Sequence, residues 1–367
     1  MILKSIALTN FKNIASADLE FSPKVNCLLG DNGMGKSNLL DAIHYLSFTK
    51  SYGRLPDAML IRRGEDFAIL KGQYRRGADS EEITAGLRRD RRKSFRRGGK
   101  EYQKISTHIG LLPAVMVAPA DLALVTESGE ERRRFADMII SQSDHAYLEA
   151  LMRYNRLLEQ RNRMLRDGIS DPALLESVDM MMDAQAAIII PAREAFVGRL
   201  RDIFGRYYHL IAGEGESVDM TYRASTDGHT SMFDALCHAH TRDCILRHTT
   251  VGPHRDDIIF TLDDMPVRTT ASQGQTKTLT IALRLAQYEF LAQSTGLKPL
   301  LLLDDIFDKL DARRVERIVA TVSGSEFGQI FITDTNRKHL DEIMASCGPD
   351  YRMWHVADGA YTPIDAQ

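Results

Sequence analysis

The feature that most constrains the fold of this chain is a glycine-rich loop between a short apolar strand and a helix. The loop has the Walker A spacing and consists of Gly30, Asp31, Asn32, Gly33, Met34, Gly35, Lys36 and Ser37. A strand is predicted before it, at residues 24–29, and leucine and isoleucine recur at helical intervals after it. This order of strand, loop and helix predicts a phosphate-binding α/β sheet.

Each residue type in this loop suits the binding of a polyphosphate. Glycines let backbone N–H groups curl around phosphate oxygens, and the N-terminus of the following helix adds partial positive charge. We expect Lys36 to reach the β- and γ-phosphates and the hydroxyl of Ser37 to bind Mg²⁺. The alternative is a chance glycine-rich turn, which the flanking strand and helix disfavour. The loop by itself predicts a nucleotide but no particular function.

An acidic segment near the other end of the chain supplies the second half of the predicted site. Four leucines at 300–303 precede Asp304 and Asp305, as in a Walker B strand that delivers a carboxylate to Mg²⁺. We assign Asp304 to the metal, and Asp305 to orienting or deprotonating the attacking water. Together with Lys36 they are the predicted catalytic residues. Taken alone, the segment fits a buried strand with a helix-capping acid equally well, and the Walker A loop favours the site.

A second anion site is predicted at the start of a long helix near residue 275. The hydroxyl of Ser272 can donate there, and Gly274 lies where the N–H groups of the first helical turn are free. Alone, this segment is more typical of a plain helix cap. Its position shortly before the Walker B strand favours a second contact with the nucleotide.

The remaining pattern divides the chain into two regions. Residues 68–117 read as β-strands, and from residue 130 the pattern changes to long helices. We predict an α/β head, with a P-loop sheet and a β-rich subdomain, formed by residues 1–120 and 216–367. Residues 121–215 are predicted to form an inserted helical domain, a short hairpin whose second helix bends or breaks near Pro191.

Composition excludes several classes of function. The 367 residues carry a formal net charge of -3, which argues against a generally basic coat for nucleic acid. The four cysteines are scattered, which does not suggest a disulfide framework. Apolar runs are too short for a signal peptide or a membrane span, so we expect a cytoplasmic protein.

One segment departs from this charge balance. Residues 88–104 contain nine Lys or Arg against two acids, a net charge of +7, and Gly98-Gly99 predicts a hairpin turn. We predict sequence-independent contacts with DNA phosphates. The predicted DNA-binding residues are Arg91, Arg92, Lys93, Arg96 and Arg97. The alternative is a solvated edge hairpin whose charges prevent aggregation.

The order of the motifs resembles the ATPase heads of the ABC superfamily. In that superfamily the signature helix of one subunit closes on ATP held by another, so that ATP joins a head-to-tail dimer. Longer segments are more specific, and they resemble the RecF family of bacterial recombination mediators, whose heads are SMC-like. These segments are LTNFKNI, GDNGMGKSNLLDAI, YNRLLEQRN, GPHRDD, SQGQTK and LLLDDIFDKLD.

This resemblance implies an ABC-type ATPase head that binds ATP and Mg²⁺ and acts in DNA repair, replication restart and the SOS response. The implied DNA is single-stranded and gapped duplex, at gaps and stalled forks. The implied protein partners are RecR and RecO-type mediators and a second copy in an ATP-dependent homodimer. By motif, residues 30–37 of one subunit bind ATP, Ser272 and Gly274 of the other contact the γ-phosphate, and the ATPase is a slow, DNA-stimulated switch.

Some residues depart from the general ABC pattern. Gln273 stands where transporters usually have glycine, Asp305 replaces glutamate, and Thr335 occupies the region of the switch histidine. Two rival classes fit less well. A transporter subunit places its signature much nearer to Walker A, and an SMC-like head with a nuclease partner of the overcoming-lysogenization type needs a further nuclease domain.

Two polar clusters are interpreted as structural. Cysteines and histidines at 237–244 share one helix, which cannot readily close a tetrahedral zinc site. The acids, arginine and histidine at 254–257 follow a Gly-Pro turn and precede a strand, so a charge cluster is favoured over a catalytic one.

Overall fold

The computed structural model describes residues 1–168, 172–226, 228, 231–307, 310–337, 341 and 350–364. The chain forms two compact units. The first contains Met1–Asp121 and Gln287–Gln367, and the second contains Leu122–Ala286. The mixture of sheets and helices confirms the predicted α/β class.

The secondary-structure elements are as follows. The strands are β1 (Ile2–Phe11), β2 (Ile14–Glu20), β3 (Val25–Leu29), β4 (Phe67–Arg76), β5 (Asp79–Arg88), β6 (Arg91–Arg97), β7 (Lys100–Glu101), β8 (Ala114–Val117), β9 (Val218–Arg223), β10 (Asp257–Leu262), β11 (Met265–Pro266), β12 (Leu300–Asp304), β13 (Ile330–Asp334), β14 (Tyr351–Ala357) and β15 (Ala360–Ile364). The α-helices are α1 (Lys36–Phe48), α2 (Ala123–Thr126), α3 (Gly129–Ser143), α4 (His145–Asp167), α5 (Pro172–Ala212), α6 (Met232–Leu246), α7 (Val267–Thr270), α8 (Gln273–Thr295) and α9 (Ala312–Ser323). Short 3-10 helices span Asp57–Met59, Ile105–His108 and Pro119–Leu122.

A mainly parallel sheet in the first unit carries the glycine-rich loop. Its order is β15-β14-β3-β13-β12-β8, and only β15 is antiparallel to its neighbour. Every residue of β12 and β13 is buried, as the continuous apolar runs of a covered parallel sheet require. Because parallel strands end at one edge, the segments that follow β3, β13 and β12 meet there.

The second sheet of this unit is antiparallel, with the order β2-β1-β4-β5-β6-β7. It contains the predicted basic hairpin. In this hairpin β6 pairs with β5, and a turn connects β6 to the two-residue strand β7. Gly98 and Gly99 form that turn with φ of 54° and 78°, a conformation that glycine adopts without strain. The predicted strand near residue 115 is β8, which joins the parallel sheet instead.

The second unit contains helices α3 to α6 and a small antiparallel sheet of order β11-β10-β9. The predicted helical insertion, residues 121–215, thus lies in a unit that also includes residues 216–286. We predicted a bend or a break near Pro191, and helix α5 runs through this residue without a break. Ile189 and Arg193 on either side of the proline are buried, so packing holds both halves of the helix in place.

Buried polar contacts tie the 252–257 segment to the helices of this unit. The Arg193 side chain is 3% exposed and donates to both carboxylate oxygens of Asp137, at 2.9 and 3.0 Å. It also donates to the carbonyl oxygen of Pro253 at 2.6 Å. In the same segment, Asp257 accepts two hydrogen bonds from Arg132, at 2.8 and 3.0 Å.

The histidine of this segment is part of the same framework. His254 Nδ1 lies 2.7 Å from the Tyr154 hydroxyl, and Nε2 lies 3.1 Å from the carbonyl oxygen of Thr249. Burial lowers the pKa of His254 to about 4, so the ring is neutral near pH 7. These contacts support the structural interpretation of residues 254–257.

Candidate nucleotide-binding site

The glycine-rich loop needs glycine at three of its positions for steric reasons. Gly33 and Gly35 have φ of 81° and 113°, where a side chain would be strained. A Cβ atom on Gly30 would lie 2.3 Å from the carbonyl oxygen of Val356 in the neighbouring strand β14. The spacing of the motif therefore follows from backbone geometry and from the close approach of β14.

Lys36 is held inside the curl of the loop. The residue is 6% exposed, and Nζ donates to the carbonyl oxygens of Gly30 at 2.5 Å and Asp31 at 2.9 Å. The cation stands at the N-terminus of α1, where backbone N–H groups lack intrahelical partners. Positive charge and free donors at one place suit a polyphosphate.

The predicted metal ligands are brought together although 267 positions separate them in the chain. Ser37 Oγ donates to Asp304 Oδ1 at 2.8 Å, and Thr333 Oγ1 donates to the same oxygen at 2.8 Å. Burial raises the pKa of the Asp304 carboxyl, and the hydrogen bonds from Thr333 and Ser37 act in the opposite direction. A hydroxyl and a carboxylate side by side are the oxygen ligands that Mg²⁺ takes in P-loop proteins.

Thr333 is a site residue that the sequence analysis did not identify. It is the last residue but one of β13, the strand between β3 and β12, and its Oγ1 also accepts a hydrogen bond from the Asp305 backbone at 3.1 Å. Asp305 adopts a left-handed conformation with φ of 48°. Thr335, which the sequence suggested in place of a switch histidine, is exposed. The one signal for Thr333 in the sequence was the apolar run at 330–332 just before it, which is typical of a buried strand.

Two distant segments support the loop from outside. Met34 O accepts hydrogen bonds from Asn13 Nδ2 at 3.2 Å and from the Gly359 backbone at 2.9 Å. The Tyr361 hydroxyl donates to the carbonyl oxygen of Gly35 at 3.0 Å. The β1–β2 and β14–β15 turns thus position the loop, a role that no local pattern could reveal.

Ser272 and Gly274 lie in the second unit, at the start of α8. Ser272 Oγ accepts from the Gln275 backbone at 3.2 Å, and the Ser272 backbone donates to Gln275 Oε1 at 2.8 Å. This reciprocal pair is a capping box. Because the cap uses the serine oxygen as an acceptor, the hydroxyl hydrogen can still be donated to an anion. Ser272 is exposed, so the helix cap and an anion contact are compatible.

The basic hairpin presents only part of its charge to solvent. Arg91, Arg92, Arg96 and Arg97 are exposed. Lys93 instead points inward with the face of β6 that buries Phe95, and its Nζ lies 3.2 Å from Asp57 Oδ2 and 5.2 Å from the Tyr45 ring centroid. Arg97 Nε donates to Glu81 at 2.8 Å. Because side chains alternate along a strand, Lys93 points inward and forms an ion pair with Asp57. It therefore differs from the exposed arginines of the predicted DNA-binding set.

The described residues form neither a metal site nor a membrane-spanning helix. Cys244 Sγ lies 3.7 Å from His240 Nε2, and within the described ranges no three His, Cys, Asp or Glu side chains are arranged to hold a metal. Among the helices that the structure describes, none has the length and apolar character needed to span a membrane.

Comparison with known proteins identifies relatives of the whole chain. Residues 2–352 match the family model of the RecF/RecN/SMC N terminal domain. The chain is 47% identical to the DNA replication and repair protein RecF of Parabacteroides distasonis, with both chains fully covered. It is 45% identical to the RecF of Bacteroides fragilis, over 100% of this chain and 99% of the relative.

Solved structures show the same relationship. The recombination mediator protein RecF of the RecFOR pathway, solved as RecF-ATP, superposes with a TM-score of 0.89 at 28% identity, covering 99% of this chain and 98% of that chain. An Smc head domain from Pyrococcus furiosus has a TM-score of 0.58 at 15% identity, covering 99% of this chain and 96% of the other. The predicted SMC-like ATPase-head fold is thereby confirmed.

Proposed function

This chain belongs to the RecF family, and we propose that it is an ATP-dependent recombination mediator that acts on DNA during replication and repair. The full-length relatives and the RecF structures support the mediator role. The observation that carries ATP dependence is the convergence of Lys36, Ser37 and Asp304 at one edge of the parallel sheet. As a factor for bacterial chromosomal DNA, it would work in the cytoplasm.

The nucleotide would lie against residues 30–37, with Lys36 and the backbone N–H groups of the loop on its phosphates. Mg²⁺ would be held by Ser37 and Asp304 and would neutralise charge on the phosphate oxygens. Asp305 would orient the attacking water. Its side chain is one methylene shorter than the glutamate of related ATPases, which fits a slow, DNA-stimulated hydrolysis step used as a switch.

Ser272 and Gly274 of a second copy would complete the site. The serine hydroxyl can donate to the γ-phosphate without leaving its helix cap, and the N–H groups of the first turn of α8 add further donors. ATP would thus hold two copies head to tail, and hydrolysis would release them. The RecFOR setting of the solved RecF structures suggests RecO- and RecR-type mediators as partners in gap repair, fork restart and SOS induction.

Replacing Ser272 by alanine is expected to abolish ATP-induced dimerisation while ATP binding to one subunit changes less than about threefold. The reason is that a single subunit binds ATP through the Walker loop, whereas the serine contacts it only from the second copy. Sedimentation velocity with and without ATP measures the dimer, and fluorescence titration with a labelled ATP measures binding.

The matched control is Ser231→Ala. Ser231 caps α6 by accepting a hydrogen bond from the Asp234 backbone at 3.0 Å. Replacing it by alanine therefore removes a similar cap, which contributes about 1 kcal/mol, from a helix other than α8. This variant should dimerise like the wild type. A wild-type chain that stays monomeric with ATP and DNA, or Ser272→Ala dimers of normal affinity, would refute the shared site.

We further propose that the exposed arginines of the basic hairpin contact DNA phosphates. Reversing Arg91, Arg92 and Arg96 to glutamate should weaken binding to a gapped duplex at low salt by at least about tenfold. The slope of log affinity against log salt should fall by about two to three, because each phosphate contact contributes about 0.9. Fluorescence anisotropy at several salt concentrations measures both quantities.

The control places the same three charge reversals at exposed positions of α4, namely Arg153, Arg156 and Arg163. Both triple variants change the net charge equally, so a general electrostatic effect would weaken both alike. The hairpin proposal requires a larger loss for the hairpin variant. An unchanged affinity of that variant, or a larger loss for the α4 variant, would reject it.

A further inference from the structure

One face of α5 is apolar and exposed along more than half of the helix. Its large side chains are Leu174, Met180, Met181 and Ile188, with exposed fractions of 46, 54, 44 and 43%. Small or neutral exposed residues lie between and beyond them, namely Ser177, Ala184, Ala187, Pro191 and Ala195. These positions recur every three or four residues, so they form one continuous surface, which we call the outer stripe of α5.

The opposite face of α5 anchors the helix in the second unit. Val178, Met182 and Ile189 are almost completely buried. Buried ion pairs add to this packing, with Arg161 Nε donating to Asp179 at 2.7 Å and Arg193 pairing with Asp137. The outer stripe is therefore a preformed surface on a fixed helix, and a ligand that binds it need not order the helix first.

Charge along the stripe has one sign. Between residues 172 and 198 the one basic residue is Arg193, which is buried in its ion pair. The exposed charged side chains in this range are Glu176 and Glu194. Their spacing corresponds to about five helical turns, so both lie on the same edge of the stripe. An apolar surface with an acidic edge repels DNA phosphates and anionic lipid headgroups.

We propose that the outer stripe of α5 is a docking surface for an amphipathic helix of a partner protein, with an aliphatic face and Lys or Arg along one edge. The aliphatic face would cover the methionines and Ile188, and the basic edge would pair with Glu176 and Glu194. Methionine side chains adapt to different partner shapes, and Ala184 and Ala187 let a helix approach closely.

A second copy of this chain fits the stripe less well than a basic helix. Two antiparallel copies paired through their stripes would place Glu176 of one copy beside Glu194 of the other. Two parallel copies would leave the acidic edges without basic partners. Charge complementarity therefore favours a different protein. This inference goes beyond the nucleotide switch and does not depend on it.

A synthetic peptide tests the proposal on the full chain. It has about three heptads, with leucine on one face and lysine along both edges, and its control peptide has glutamate in place of lysine. Fluorescence anisotropy should show the basic peptide binding at least about tenfold more tightly than the acidic one. Glu176→Gln combined with Glu194→Gln should weaken binding several-fold and reduce its dependence on salt.

Substitutions in the stripe separate apolar contact from simple charge attraction. Met181→Asp combined with Ile188→Asp should weaken the basic peptide at least about tenfold, although the variant is more negative. The control Met265→Asp alters another exposed methionine, 54% exposed in the β10–β11 hairpin, and should leave binding unchanged. Circular dichroism and ATP binding of the variants should match the wild type, which keeps this test independent of the nucleotide proposal.

Three results would overturn the inference. The acidic peptide could bind as tightly as the basic one, or the double aspartate variant could bind the basic peptide like the wild type. The chain could also self-associate without ATP in sedimentation experiments and lose that association in the double variant, which would identify a second copy as the occupant.

Discussion

Replacing Lys36 by alanine is expected to weaken ATP binding about 100-fold and to abolish ATP-dependent dimerisation. Lys36 is 6% exposed, and two loop carbonyls hold its ammonium group at the helix N-terminus, so its charge cannot be replaced by solvent or by a neighbouring lysine. Hydrogen bonds to charged groups contribute up to about 3 kcal/mol each, which corresponds to about two orders of magnitude in affinity. Equilibrium titration with a fluorescent ATP analogue measures the loss.

Lys50 provides the control for this experiment because it is exposed just beyond the end of α1. Lys50→Ala should bind ATP like the wild type. Thermal unfolding should show that Lys36→Ala remains folded, because the substitution removes two hydrogen bonds from the loop and leaves the core unchanged. If Lys36→Ala bound ATP with an affinity within about threefold of the wild type, the phosphates would not contact Lys36 and the prediction would be wrong.

Replacing Arg193 by methionine is expected to destabilise the second unit by about 3–5 kcal/mol, the usual cost of leaving a buried charge unpaired. Asp137 would lose its bidentate partner, and the carbonyl oxygen of Pro253 would lose a donor at 2.6 Å. Because that carbonyl belongs to the 252–257 segment, this segment would also lose its hydrogen bond to α5. Differential scanning calorimetry should show a decrease of about 10 °C in the transition of this unit.

The same helix offers a matched control. Arg201 also forms an ion pair, with its Nη2 atom 2.8 Å from Asp219, but its side chain is 54% exposed. Arg201→Met should therefore cost less than about 1 kcal/mol. Equal destabilisation by the two substitutions would mean that the 252–257 segment is not held by its buried charges. A stable Arg193→Met variant with impaired ATP or DNA binding would instead give that segment a functional role.

Local sequence patterns were sufficient to predict the elements whose residues are neighbours in the chain. The loop at 30–37 places consecutive N–H groups and one lysine at a helix N-terminus, so its spacing alone predicts phosphate binding. The runs at 300–303 and 330–332 are apolar throughout because both faces of these strands are covered. Asp304 could be assigned to the metal because strand ends in a parallel sheet meet at one edge.

Pairings between distant segments could not be predicted in the same way. Thr333, Asn13, Gly359 and Tyr361 belong to the site because sheet order and two turns bring them to the loop, and each has an ordinary local context. In the sequence Lys93 looked like one more surface charge. In the structure, strand alternation turns its side chain toward Asp57. Pro191 predicted a bend or a break, and the helix runs through it without a break, with buried residues on both sides.

The sequence by itself determined the family and the α/β class, and it predicted the residues that would face the phosphates, because each depends on short motifs whose chemistry is local. The tertiary structure alone decided which charges are buried in ion pairs, which turns support the loop and which face of α5 is left uncovered. These properties depend on contacts between residues far apart in the chain, and burial changes the energetic role of a charge or an apolar side chain without changing its identity.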